Sequence, residues 1–241
     1  MGPNGAGKST IIRHFTGVYR PDSGQVTLDG QPVYENPAAK SRMAVIPDDW
    51  YYFPQASIRD MARLYAGTHP FFSWDRYHKL REAFPLPEKQ LLRRMSKGMQ
   101  KQAAFWLVMS CMPEVLVLDE PAAGLDPEGR DTILSQIRDY HEKTGITVLL
   151  VSHSMEDIAK YANRVLVMHR AKIAMYDTVE NVFARAQELL ELGLSVPQVT
   201  QIFLKLRQMG LDIPADVYTI PYAVKTIQKA LAAKQGGGAN A

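Results

Sequence analysis

The first ten residues of the chain constrain its fold more than any other stretch. They contain the pattern Gly-x-x-x-x-Gly-Lys-Ser, whose glycines let several backbone N–H groups converge on one anion because no Cβ blocks the approach. A helix follows, and the partial positive charge at its N-terminus also favours phosphate. Lys8 is placed to reach the β- and γ-phosphates of a nucleotide, and the Ser9 hydroxyl is placed to ligate Mg²⁺. The predicted phosphate-binding residues are Gly2, Pro3, Asn4, Gly5, Ala6, Gly7, Lys8, Ser9 and Thr10.

A β-strand normally leads into such a loop, but this sequence starts inside the motif. Met1 stands where an apolar strand residue belongs. We therefore expect N-terminal strands to be missing through a mis-set start or a truncation. On this expectation the 241-residue chain binds ATP poorly until upstream sequence is restored.

Composition and charge narrow the function classes. The 28 Lys and Arg residues nearly balance the 25 Asp and Glu residues, and the net charge of +3 is too small to indicate nucleic-acid binding. Cys111 is the single cysteine, which excludes an intrachain disulfide and fits a reducing compartment. The apolar runs are too short to span a bilayer. These features predict a cytoplasmic chain that needs a partner for any work at a membrane.

Alternating strands and helices predict an α/β fold with a parallel sheet covered on both faces. The predicted strands are 25–30, 44–46, 115–118, 146–151 and 164–168, and the main predicted helices are 8–17, 96–111 and 127–141. We predict three parts: a core domain over 1–176 with a helical insert at about 57–112, a helical extension over 177–234, and a disordered tail over 235–241.

Two acids follow an apolar strand at Val115-Leu116-Val117-Leu118-Asp119-Glu120, which is the Walker B form. Asp119 at the strand end can hold Mg²⁺ through water, and Glu120 is placed to orient or deprotonate an attacking water. Alone, such a pair is weak evidence because strand ends often meet acidic turns. After a phosphate-binding loop it indicates nucleotide hydrolysis.

The stretch Met95-Ser96-Lys97-Gly98-Met99 resembles the signature of the ATP-binding-cassette (ABC) ATPases, which reads Leu-Ser-Gly-Gly-Gln or, in several exporter branches, Leu-Ser-Lys-Gly-Met. Ser96 is a good N-cap, and Gly98 leaves room for a phosphate to approach the helix start. The resemblance implies that Ser96 and Gly98 contact the γ-phosphate bound to an opposite subunit, in a role comparable to an arginine finger.

Further motifs occur in the order typical of this family. Ala123-Gly124-Leu125-Asp126 is similar to the D-loop that crosses the dimer interface, and His153 matches the switch histidine that contacts the γ-phosphate. A lone histidine at a strand end is usually structural, so this assignment depends on the resemblance. The resemblance covers about Gly2 to Tyr176. It implies a P-loop nucleotidase core, ATP and Mg²⁺ as cofactors, and a second ATPase subunit in a homo- or heterodimer.

Asp48 is one departure from the common family pattern, and the C-terminal stretch resembles one particular branch of the family. Asp48 stands where the family has a glutamine, and an aspartate there could still ligate Mg²⁺. The C-terminal stretch with Val196-Pro197 and Gly210-Leu211-Asp212-Ile213-Pro214 resembles the tail of energy-coupling-factor ATPases, which drive vitamin and metal-ion uptake. That tail either contacts a second subunit or forms a helical hairpin packed on its own domain.

The predicted function is ATP hydrolysis that powers solute transport, as the nucleotide-binding subunit of an ABC transporter on the inner face of the membrane. The expected partners are transmembrane permease subunits that bear on the helical insert, and no nucleic acid is expected. The alternative is a non-transport ABC ATPase acting as a switch on ribosomes or DNA, although a single cassette and one cysteine argue against it. A small-molecule kinase would leave the signature and His153 unexplained. The direction of transport stays open.

Overall fold

The structure is a computed structural model that describes residues 1–214 and 216–236. These residues form two compact units. Ser9–Ser152 makes up one unit, and Met1–Lys8 together with the chain from His153 onward makes up the other. The predicted domain boundary at Tyr176 falls inside this other unit and stays a prediction.

Short elements precede the sheet of the Ser9–Ser152 unit, and turn geometry sets where they end. These elements are α1 (Lys8–Phe15), β1 (Thr27–Leu28), β2 (Gln31–Pro32) and α2 (Pro37–Ser41). β1 and β2 form an antiparallel hairpin through Asp29 and Gly30, whose φ values of 48° and 79° suit a two-residue turn. The chain turns after α1 at Gly17, where a Cβ would lie 2.8 Å from the Val33 carbonyl oxygen.

A parallel sheet of three strands forms the centre of this unit. Its strands are β3 (Met43–Ile46), β4 (Val115–Asp119) and β5 (Thr147–Val151), in the order β3-β4-β5. Leu116, Val117 and Leu118 of β4 are buried, as expected for a strand covered on both faces. Ile12 of α1 packs against Val117 and Val151, so α1 lies on this sheet close to the acidic end of β4. The predicted parallel α/β arrangement is confirmed here.

Helices fill the connections between these strands. α3 (Ile58–Thr68), α4 (Trp74–Ala83), a 3₁₀ turn (Leu92–Arg94) and α5 (Lys97–Ser110) lie between β3 and β4, and α6 (Pro127–Thr144) lies between β4 and β5. Trp106 of α5 is fully buried and stacks on Tyr77 of α4 with ring centroids 4.6 Å apart. Its indole N–H also donates to the Tyr77 carbonyl oxygen at 2.8 Å. This contact fixes α4 on the helix that carries the signature.

The unit that contains His153 combines a hairpin with a series of helices. Its elements are α7 (Met155–Tyr161), β6 (Arg164–His169), β7 (Lys172–Thr178), α8 (Val179–Ala184), α9 (Ala186–Glu191), α10 (Gln198–Gln208) and α11 (Ile220–Gly236). Val167 of β6 and Phe183 of α8 are fully buried in one apolar cluster. Phe203 and Val217 belong to a second cluster. The C-terminal helices therefore have apolar cores of their own.

Two sequence expectations need correction in this unit. β7 was not predicted, and β6 pairs with it in antiparallel fashion. The turn between them uses Arg170 and Ala171 at φ 49° and 58°, so the glycine or asparagine that would mark a hairpin is absent. The predicted tail starts at Gln235, but Gln235 and Gly236 end α11, and the rest of the tail lies outside the described residues.

Candidate nucleotide site

Main-chain hydrogen bonds attach the phosphate-binding loop to β6. The Met1 nitrogen donates to the Leu166 carbonyl at 2.5 Å, and the Met168 N–H donates to the Met1 carbonyl at 2.8 Å. This alternation is that of a parallel strand pair. Four residues into the loop, the Ala6 carbonyl accepts from the Ala171 N–H at 3.2 Å. The loop therefore has a fixed position on the β6–β7 hairpin.

The glycines of this loop meet two different physical demands. Gly5 and Gly7 have φ values of 77° and 93°, in the left-handed region that side chains disfavour. Gly2 is required by space, because a Cβ there would lie 2.5 Å from the Met168 carbonyl oxygen. The two demands together explain why the loop needs glycine at each of these positions.

Lys8 places its positive charge within the same loop. Its ammonium group donates to the Gly2 and Pro3 carbonyl oxygens at 2.5 and 3.0 Å. α1 starts at Lys8, so a helix N-terminus and a lysine charge coincide where the glycine turns end. These residues fit a nucleotide polyphosphate.

Glu120 follows β4 in a backbone conformation that is unusual for a residue with a side chain. Its φ is 49°, and such strain costs on the order of 1–3 kcal/mol and clusters at functional sites. Its N–H donates to the Val151 carbonyl at 3.0 Å, and its carbonyl accepts from the Ala123 N–H at 3.0 Å and from the Lys101 ammonium at 3.0 Å. Asp119 directly precedes it as the last residue of β4.

Asp48 lies two residues after β3, and its carboxylate pairs with Lys101 at 3.3 Å. The neighbouring Gln100 donates to the Tyr52 hydroxyl at 3.1 Å. Lys101 was not singled out from the sequence, because a lysine on a helix is usually solvated and carries no motif. The predicted role of Asp48 as a Mg²⁺ ligand stays a prediction.

The signature residues form the open start of α5. The Ser96 hydroxyl caps the helix by accepting from the Met99 N–H at 3.2 Å, and Ser96 itself is exposed. A Cβ on Gly98 would meet the Leu125 side chain at 3.5 Å, which is an ordinary contact. Leu125 belongs to the predicted D-loop, whose Asp126 is also exposed. The two motifs expected at a subunit interface therefore adjoin each other.

Ser9, Asp119 and Asp48 are the predicted protein ligands of Mg²⁺, and their oxygen donors suit this cation. Within residues 1–214 and 216–236, no group of three or more His, Cys, Asp or Glu side chains is arranged to hold a metal ion. Mg²⁺ in nucleotide sites needs only one or two protein ligands, because phosphates and water supply the rest. Ser9 lies one turn before Ile12, which packs against Val117 near Asp119. The donor set therefore fits Mg²⁺ held jointly with a nucleotide.

The predicted site residues divide between the two units. The Ser9–Ser152 unit contains Ser9 and Thr10 together with the residues of the Walker B, signature and D-loop motifs. The other unit contains the loop up to Lys8 and His153. His153 is exposed and lies two residues after β5.

Comparison with known proteins identifies the family. The model of the ABC transporter family matches residues 1–123. The energy-coupling factor transporter ATP-binding protein EcfA2 of Symbiobacterium thermophilum is 37% identical, over 98% of this chain and 85% of that protein. EcfA2 of Clostridium tetani is 34% identical, over 95% of this chain and 84% of that protein. The chain belongs to the ABC transporter ATPase family.

Solved structures agree with this ABC ATPase in fold. An ATP-binding subunit of an ABC transporter has a TM-score of 0.68 at 23% identity, with 86% of each chain covered. The cbiO1 protein of Clostridium perfringens, part of the ABC transporter complex cbiONQ, has a TM-score of 0.67 at 24% identity, with 87% of this chain and 84% of that chain covered.

Family membership confirms the predicted P-loop α/β fold, ATP as a ligand and the resemblance to energy-coupling-factor proteins. This ABC ATPase hydrolyses ATP and powers the transport of a solute across a membrane. Within the described residues, none of its helices combines the length and the apolar character needed to cross a bilayer.

Proposed function

We propose that the chain is an ATPase subunit of an energy-coupling-factor type uptake transporter, working as a pair with a second ATPase subunit on the cytoplasmic face of the membrane. The curated relatives support this class, since they are energy-coupling factor ATP-binding proteins. The observation that carries the hydrolytic assignment is Glu120, held in a strained conformation directly after the Asp119 end of β4.

In this proposal the loop from Gly2 to Thr10 binds the ATP phosphates, with Lys8 on the β- and γ-phosphates. Mg²⁺, held by Ser9 and Asp119, neutralises charge on the phosphates when bound. Glu120 orients or deprotonates the attacking water. His153 contacts the γ-phosphate.

The signature completes the site of the opposite subunit. Ser96 is exposed, and a Cβ added to Gly98 would make ordinary contacts with the Leu125 and Ser96 side chains of the described chain. This open helix start, with Asp126 nearby in the D-loop, is suited to a γ-phosphate bound elsewhere. ATP would therefore close two subunits on each other, and hydrolysis would release them.

The transmembrane partner is proposed to contact the helical insert. Aromatic side chains are exposed within it at Phe71 (51%) and Trp74 (41%), and just before it at Tyr51 (75%) and Phe53 (49%). Exposed aromatic residues close together favour a protein interface. The apolar clusters of the C-terminal helices support packing of these helices on their own unit. A dimer contact through the stretch with Val196-Pro197 and residues 210–214 stays the alternative.

Glu120→Gln tests the hydrolytic role. The amide keeps the shape of the side chain but cannot accept the water proton, so turnover should fall at least about 100-fold while ATP binding is kept. Size-exclusion chromatography with ATP should then show an accumulated dimer. Glu82→Gln, on an exposed face of α4, is the matched control, and normal turnover by Glu120→Gln would remove Glu120 from this role.

Purification of the tagged chain from its native membranes tests the transport assembly. The expected result is recovery of a membrane-spanning protein together with the chain. Recovery of ribosomes or DNA without any membrane protein would favour the switch alternative.

A further inference from the structure

Lys101, which lies in the second turn of α5, contacts both the Walker B region and the segment after β3. Its ammonium donates to the Glu120 carbonyl at 3.0 Å and to the Asp48 carboxylate at 3.3 Å. The Lys101 side chain is only 12% exposed, and a lysine buried to this degree needs partners for its charge. We propose that Lys101 is a positioning residue for ATP hydrolysis that holds the main chain of Glu120.

Glu120 needs such support because its backbone is in a conformation that residues with a Cβ avoid. A φ of 49° persists only where the surroundings over-determine it. Its carbonyl accepts from the Ala123 N–H, which is neutral, and from the Lys101 ammonium, which is charged. Charge-assisted hydrogen bonds are roughly twice as strong as neutral ones. Loss of the ammonium would leave this carbonyl with the weaker, neutral Ala123 donor. The peptide after Glu120 would then be held less firmly, and the carboxylate would be less precisely placed on the water that it orients.

Asp48 supplies the countercharge that keeps Lys101 in this place. Its side chain is 54% exposed, and that of Lys101 is much less so, so the carboxylate covers the ammonium from the solvent side. Gln100, one residue earlier on α5, binds Tyr52. The segment 48–52 is therefore tied to α5 at both ends, and the Asp48 end continues through Lys101 to Glu120.

This inference depends on the proposed role of Glu120. It assigns Asp48 to Lys101 and not directly to the nucleotide. It also implies that a displacement of segment 48–52 changes the position of Glu120 without any change in the phosphate-binding loop. The expected experimental result is a change in kcat with no change in ATP affinity.

Lys101→Met is the central test, because methionine keeps most of the length of the lysine side chain and removes its charge. We expect kcat to fall roughly 10- to 100-fold, since small misplacements of a catalytic group have effects of this size. The KM and the Kd for a fluorescent ATP analogue should stay within about 3-fold, as expected for an interaction that serves the transition state. Lys101→Arg, which can also donate to both oxygens, should restore most of the rate.

Asp48→Asn tests the contact between the Asp48 carboxylate and the Lys101 ammonium. It should lower kcat less than Lys101→Met does, and the double variant should be no slower than Lys101→Met alone, because Asp48 acts through Lys101. Additive losses would overturn the role assigned to Asp48. If Lys101→Met does not fold, Lys101→Arg and Asp48→Asn carry the test, and an unchanged kcat in Asp48→Asn then overturns the inference.

Two parallel variants separate the possible failures. Lys79→Met changes an exposed lysine of α4 and should leave both kcat and KM unchanged. An inactive Glu120→Gln together with a fully active Lys101→Met overturns the positioning inference alone. An active Glu120→Gln overturns the proposed function. Equal losses of ATP affinity and kcat in Lys101→Met show a merely structural role.

Discussion

Gly98→Ala separates what the single chain needs from what a second subunit needs. Gly98 is the second residue of α5. The added methyl would lie 3.5 Å from the Leu125 side chain and 3.9 Å from the Ser96 hydroxyl, so the chain has room for it. Its φ is not among the positive values. Among the residues that the structure describes, no contact and no backbone angle therefore requires glycine at this position.

The expected effects on stability and on activity have different sizes. Alanine is favoured over glycine in a helix interior by up to about 1 kcal/mol, so Gly98→Ala should leave the free energy of unfolding unchanged or raise it by less than that. If a γ-phosphate bound to the other subunit packs against this helix start, the methyl prevents its close approach. Comparable groups acting in trans contribute ~10³–10⁵ in rate, and partial displacement should lower turnover at least about 100-fold.

Urea unfolding and steady-state ATPase rates measure the two effects. Gly67→Ala is the control, because Gly67 is an exposed helical glycine of α3 with no atom within 4 Å of an added Cβ. Gly67→Ala should not change the rate of ATP turnover, nor the elution position of the ATP-bound dimer in size-exclusion chromatography. Normal turnover by Gly98→Ala would refute the argument that a phosphate approaches this glycine. A large loss of stability would refute the packing argument.

Two further predictions concern the helical insert. Ser57→Ala should lower the free energy of unfolding by about 1 kcal/mol at pH 7, because Ser57 and Asp60 form the capping box of α3. Hydrogen bonds from Ser57 lower the pKa of Asp60 below its usual 3.8. The stabilisation is therefore present above pH 3.8 and is lost as the pH falls through the lowered pKa. Urea titrations of Ser57→Ala and the parent protein, at pH 7 and at a series of acid pH values below 3.8, check the sign, and an effect that stays constant over the whole series would contradict it. Burial raises the pKa of Cys111 to about 12, so a thiol reagent at pH 8 should modify it only on unfolding, and rapid labelling of the native protein would contradict this.

The sequence predicted the elements whose local signals agree with their surroundings. α5 is an example, because Ser96 caps its start and Met112-Pro113 prevents its continuation. β4 was equally clear, since a continuous apolar run suits a strand buried on both faces. The β6–β7 hairpin was missed because Arg170 and Ala171 adopt left-handed conformations without the residues that usually signal them. Tertiary packing decides that turn.

The candidate site shows the same division. Gly2, Gly5 and Gly7 were recognisable because spacing along the chain encodes their roles. Lys101 was not, since its partners lie 53 and 19 residues away in sequence, and no local pattern predicts such a meeting. Contacts of this range emerge only once α5 packs beside β3 and β4.

Helix α5 has a consequence for timing. Ser96 caps this helix of 14 residues, and Lys101 lies five residues further on, about 7.5 Å along the axis at 1.5 Å per residue. In the proposed dimer, Ser96 binds the nucleotide of the opposite subunit, whereas Lys101 on the same helix holds Glu120 of its own subunit. ATP binding at the opposite site would then change the position of Glu120, and so the rate of hydrolysis, in the subunit that carries this helix. The two sites would then hydrolyse ATP one after the other, because the hydrolysis rate at each site depends on whether ATP is bound at the other.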